Sequence, residues 1–150
     1  MAKRFRFSLQ TLLEVRRLRE REAERQVAAQ NAEIARVDRL NEQTTEEIGQ
    51  QQAMLLEAQQ RGELDPQALQ RGRAWIAHLR RTIGQRQQQR AELVERLHEL
   101  QTAWREARTQ TRVIDKLRER RRTEHVRKED RKEQAAADEL AQQLQGYEWI

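Results

Sequence analysis

With 37% of its 150 residues charged, 4% aromatic and a formal net charge of +5, the chain holds too little apolar material for a thick globular core. Cysteine is absent, which excludes a disulfide framework, a thiol nucleophile and a cysteine-based zinc site. Ala, Glu, Arg, Leu and Gln dominate while Pro, Gly and Ser are scarce, and that balance selects long helices over disorder.

The opening MAKRFRFSLQTLLEVRR is basic but has no continuous apolar core and no small-residue cleavage site, so no secretory signal is expected. No apolar run approaches the roughly 20 residues that span a bilayer. A soluble cytosolic protein is the expectation.

Phe7-Ser8 opens the first predicted helix, which runs to about residue 61. Ser8 is placed to cap it and Phe7 to staple onto Leu12. A seven-residue row follows: Leu13, Glu20, Val27, Ile34, Asn41, Ile48 and Leu55. Its companion row is Leu9, Arg16, Ala23, Gln30, Val37, Thr44, Gln51 and Ala58. These are heptads whose apolar seam is repeatedly broken by polar residues, with Asn41 a candidate for fixing register.

The strongest break in the chain is Arg61-Gly62-Glu63-Leu64-Asp65-Pro66, and Pro66 is the only proline. Glycine past a helix end, then Asp-Pro opening the next, is a stop-and-restart signal. The turn is predicted at 62–65 and the second helix at about 66–144. Its rows are Leu69, Ile76, Ile83, Arg90, Leu97, Trp104, Thr111, Arg118 and Gly72, Leu79, Arg86, Leu93, Leu100, Ala107, Ile114, Arg121. The fold class is therefore all-α: one domain over 1–150, a long antiparallel two-helix coiled-coil hairpin. A parallel homodimer of one continuous helix is the alternative, and the Gly-to-Pro break opposes it.

The predicted arms are unequal. Pairing about Leu64 sets residue 9 opposite residue 119 or so, leaving about 25 residues of the second helix unpaired, ~35 Å at ~1.5 Å per residue. This protruding C-terminal extension contains Arg118 to Glu133, where eight basic residues meet five acidic ones. Residues 1–25 carry a net +4, residues 26–100 a net −1 and residues 101–150 a net +2. A hairpin collects the two basic parts at the end bearing both termini, which suits an acidic partner.

Chemistry is poorly represented. His78, His98 and His125 have no metal-ligand spacing, and no metal or cofactor is expected. The five glycines form no phosphate-binding loop. No nucleophile, base and orienting group can be assembled, so the chain reads as a non-enzyme. Nucleic acid is also disfavoured, because Glu119, Glu124, Glu129, Asp130 and Glu133 interleave the basic run and repel phosphates. Among the aromatics, Trp104 falls on the seam, Trp75 beside it as either a flank or an exposed anchor, and Tyr147 and Trp149 in a frayed tail after Gly146.

Several stretches taken together resemble a known family. FRFSLQTLLEVRRLRE at the start, Trp75-Ile76 with Leu79 and Ile83, Ala103-Trp104-Arg105-Glu106 with Lys116-Leu117-Arg118, and Asp130 to Leu140 ending Ala137-Asp138-Glu139-Leu140-Ala141 are similar to the FliJ family. That family is the small soluble coiled-coil component of the bacterial flagellar export apparatus. The resemblance implies an antiparallel hairpin similar to the axle subunit of rotary ATP synthases. It implies three partners: the hexameric export ATPase at the end bearing the termini, the membrane export-gate protein along the body, and export chaperones.

On this chain the resemblance points to Arg16, Arg17, Arg19, Arg118, Arg120, Arg121 and Arg122 for ATPase contact, and to Trp75 and Leu79 for the gate. Thr44, Glu47 and Gln51 replace the family's aromatic tendency on the first-helix side of that gate patch. The implied protein is a monomer when free, at the cytoplasmic face of the inner membrane. The stalk proteins of non-flagellar type III secretion share the architecture and stay open as an alternative, as does a homodimeric scaffold.

Overall fold

The computed structural model describes residues 3–63 and 65–148. Nearly all lie in two helices, α1 (Gln10–Gln60) and α2 (Pro66–Glu148), and no strand occurs among the described residues. The all-α hairpin anticipated from the break at Gly62 is the observed fold. α1 starts two residues later than predicted, and α2 continues through Gly146 to Glu148, so Tyr147 belongs to the helix and not to a frayed tail. Leu64 and Trp149 lie outside the described residues.

The turn is built from backbone hydrogen bonds. Glu63 N–H donates to Ala58 O at 3.1 Å and Gly62 N–H to Gln59 O at 3.2 Å. This 6→1 and 5→2 pair closes α1 in a Schellman motif. It requires a left-handed residue after the helix, and Gly62 supplies it with φ 71°. On the far side Asp65 Oδ1 accepts from Ala68 N–H at 2.6 Å, capping α2, while Pro66 takes the first helical position, where no N–H is needed.

Contacts divide the chain into two compact units. The turn unit, Ala23–Trp104, packs Ile48, Ile76 and Leu79 against one another, with Leu55 and Ile83 beside them. Val27, Ile34, Val37 and Leu100 are its other buried apolar residues. Gly72 stands on the seam at the point where a Cβ would lie 2.6 Å from Leu55 Cδ2 and 2.8 Å from Cδ1. The terminal unit, Met1–Glu22 with Arg105–Ile150, has a core of Phe7, Leu13 and Ile114, flanked by Phe5, Leu9 and Leu117.

In both units the helices run antiparallel, and the predicted rows are the ones buried. Every member of the two α1 rows is buried or half-buried; in α2 only Arg90 and Arg121 of the predicted rows are exposed. The polar breaks in the seam are mostly bridged across the helices. In the turn unit Arg86 Nη1 donates to Thr44 Oγ1 at 2.7 Å and to Leu40 O at 3.3 Å, Gln30 Nε2 donates to Leu93 O at 2.8 Å, and Arg90 pairs with Asp38 at 2.7 Å. Asn41, in contrast, keeps its Oδ1 buried with no hydrogen-bond partner. Register is carried by Arg86 and Gln30, whose longer side chains cross to the other helix, and not by Asn41.

Replacing Gly62 by alanine should lower stability by about 1–2 kcal/mol, since an L-residue is strained in the left-handed region. Gly49→Ala, on an exposed face of α1 with no atom within 4 Å of the new Cβ, should instead raise it by up to about 1 kcal/mol. Thermal melts followed by circular dichroism check both signs.

Candidate functional site

The terminal unit differs from a plain helix pair in one respect. Residues 3–7 precede any helix or turn and lie along α2, held by side chains one helical turn apart on it. His125 Nε2–H donates to the Lys3 carbonyl at 2.9 Å, and the His125 and Phe5 rings stand 5.7 Å apart. Arg121 Nη1 donates to Ser8 Oγ at 3.0 Å, with its guanidinium 5.7 Å from the centre of the Phe7 ring.

These contacts correct two local expectations. Ser8 does not cap α1, because its hydroxyl is taken by Arg121. The helix entry is closed by backbone bonds, Gln10 N–H to Phe7 O at 3.1 Å and Leu13 N–H to Leu9 O at 2.9 Å. Phe7 does not staple onto Leu12, which is exposed; it is drawn into the core against Leu13 and Ile114.

All seven arginines singled out in the sequence fall in this unit, in different environments. Arg16 is half-buried, with Nη1 on Gln110 Oε1 at 2.5 Å and Nε buried without a partner. Arg17 is paired with Asp115 at 2.9 Å. Arg118 is half-buried and its Nε is buried without a partner. Arg121 is committed to Ser8 and Phe7. Arg19, Arg120 and Arg122 are exposed with no ion-pair partner among the described residues.

The two arginine groups are not side by side. Arg16 and Arg17 face Gln110 and Asp115, whereas the 118–122 run faces the segment before α1. The groups are therefore offset along the pair by roughly 8 residues, ~12 Å at ~1.5 Å per residue.

Beyond His125 the described part of α2 has little support. Every described side chain from Asp130 to Tyr147 is exposed, including Leu140, Leu144 and Tyr147, which share one face by their four- and three-residue spacing. The extension predicted from Arg118 onward is shorter than expected: residues 3–8 cover α2 as far as His125, and the bare stretch starts at Asp130.

In the turn unit the two residues of the gate patch separate. Trp75 is 43% exposed and stacks on His78, ring centres 5.4 Å apart. Leu79 is 6% exposed and packs in the core with Ile48 and Ile76. Only Trp75 presents a surface; Leu79 sets the helix that carries it. Trp104 is half-buried, its Nε1 shielded without an acceptor.

Glu33 and Arg36 form a local ion pair on α1. A side-chain hydrogen bond from Arg36, a local contact three residues away, holds the Glu33 carboxyl below its ordinary range and the guanidinium above its own. Both are at the surface of the turn unit. Among the described residues no three His, Asp or Glu side chains are grouped to hold a metal ion, and no helix is long and apolar enough to cross a membrane.

What these elements define is a two-helix hairpin protein whose unusual surface is an arginine-rich terminal unit with a bare helix end. The family described as Flagellar FliJ protein matches residues 5–146, and the chain belongs to it. The matching family is the flagellar one, and membership gives the chain a part in flagellar protein export, in a family that is non-catalytic. No curated protein and no solved structure matches the chain.

Arg121→Ala should release the segment before α1 while leaving the turn unit intact. Hydrogen exchange is expected to speed up at least tenfold at residues 5–9 and to stay unchanged within 27–100. Unchanged protection at 5–9 would show that Phe5 and Phe7 hold the segment without Arg121.

Proposed function

We propose that the chain is a non-enzymatic stalk and adaptor of the flagellar type III export apparatus. It joins the export ATPase hexamer to the membrane export-gate protein and assists export chaperones at the cytoplasmic face of the inner membrane. It is a monomer when free and uses no cofactor.

One observation carries this reading: the described end of α2 is a formed helix with no partner. An exposed helix with an apolar stripe of Leu140, Leu144 and Tyr147 is a surface suited to burial by another protein. Arg19, Arg120 and Arg122 add unpaired positive charge in the same unit. Cations of this kind steer an acidic partner and contribute to encounter rate and specificity. The ATPase ring is assigned to this unit, and the gate to the face that carries Trp75.

Two experiments test the assignments. In a pull-down from the lysate of a motile flagellated bacterium, Arg120→Glu with Arg122→Glu should recover at least tenfold less export ATPase than wild type, with the helical signal unchanged. Equal recovery would sink the basic-end assignment, and no ATPase with either protein would sink the adaptor reading.

For the gate, Trp75→Ala should weaken binding of the gate protein's soluble domain in calorimetry at little cost in stability. Leu79→Ala, in the core, should cost about 2–5 kcal/mol of stability. A Trp75→Ala protein that binds the gate domain as tightly as wild type would move the gate site elsewhere.

A further inference from the structure

We infer that the cleft between the segment before α1 and α2 is a receptor for a single carboxylate side chain of a protein partner. The cleft has a volume of about 390 Å³ and is lined by Phe5, Arg6, Phe7, Gln10 and Arg118. No aspartate or glutamate lines it. Arg118 Nε is shielded from solvent without an acceptor, and Arg6 has no ion-pair partner among the described residues. Two guanidinium groups thus line a space with no carboxylate in its wall, while the Gln10 amide beside them donates to Glu14 Oε1 at 3.4 Å.

The chemistry selects the ligand. A guanidinium presents paired N–H donors that match the two oxygens of a carboxylate, and such charged bonds strengthen when one side is withdrawn from water. The Phe5 and Phe7 rings give the remaining wall an apolar character that suits the methylene stem of a glutamate. A polyanion is a poorer fit. Glu119 and Glu124, on the same stretch of α2, and Glu14, held by Gln10, would repel a phosphate backbone, whereas a single carboxylate can sit on the two guanidinium groups alone.

The cleft is also held in shape before any ligand arrives. His125 and Arg121 bind the segment at Lys3 and Ser8, on either side of the residues that line it. This pre-ordering removes part of the entropy cost of binding. In naming the partner's group the inference deepens the adaptor reading and rests on it; the existence of the receptor does not.

The test uses the full chain labelled with ¹⁵N and follows arginine Nε–Hε cross-peaks, with that of Arg118 identified by its loss in Arg118→Lys. N-acetyl-glutamate methylamide should shift the Arg118 peak saturably at millimolar concentration, and the neutral glutamine analogue should not. Arg6→Gln should weaken that titration at least fivefold while Arg122→Gln leaves it unchanged. A non-saturating shift, an equal response to the glutamine analogue, or saturation by inorganic phosphate at lower concentration would each overturn the inference.

A second arm measures binding to purified export ATPase. Arg6→Gln should weaken it at least tenfold and Arg39→Gln, an exposed position in the turn unit, by less than threefold. Equal losses would overturn the receptor as a partner contact. A saturable glutamate titration with no ATPase binding by wild type would instead overturn the adaptor reading and leave the receptor standing.

Discussion

Antiparallel pairing ties every residue of α1 to one place on α2, and the place is decided where the chain turns. Gly62 and Asp65 hold that decision between them. Gly62 allows the left-handed geometry that ends α1, and Asp65 caps the helix that returns. Arg86 reaching Thr44 and Leu40 and Gln30 reaching Leu93 follow from that one phase. A residue inserted in either helix would not remove these bonds one at a time; it would rotate whole rows off the seam by about 100°, since a helix has 3.6 residues per turn.

The seam itself is a compromise between stability and specificity. Its apolar members are interrupted by arginine, glutamine and threonine, so it buries less hydrocarbon than a leucine-rich pair would. In exchange, each crossing hydrogen bond is directional, and a heptad slip would leave Arg86 without Thr44. The exposed cross-helix pairs, Arg90 with Asp38 and Arg17 with Asp115, add little energy because solvent screens them. They still disfavour the wrong register, where the same charges would stand alone or against like charge.

The fold was legible because its signals are local and periodic. Gly62, Asp65 and Pro66 announce the turn within five residues, and the heptad rows name the buried positions almost to the residue. The predicted meeting of residue 9 with about residue 119 lies close to the observed contact of Ser8 with Arg121. What escaped was non-periodic. Phe5 and His125 come together across 120 residues of sequence with no repeat to connect them, and Ser8 carries the composition of a cap while serving as an acceptor for α2.

The arginines were visible as a group but not as individuals. Sequence makes Arg118, Arg120, Arg121 and Arg122 look interchangeable. Helical phase divides them into one half-buried, one committed to the segment before α1, and two free. Leu79 likewise sat beside Trp75 in the sequence reading, and four residues of helix turned it into the core.

Gly72 has a consequence beyond the space it leaves. The methyl groups of Leu55 stand within 2.6–2.8 Å of the Cβ that glycine lacks, so the two positions share a single volume divided between opposite helices. A methyl at 72 would press first on the movable methyl ends of Leu55, which must turn aside to admit it. The two positions are therefore coupled: the cost of bulk at 72 is set by how far Leu55 can turn, and substitutions at the pair should not add.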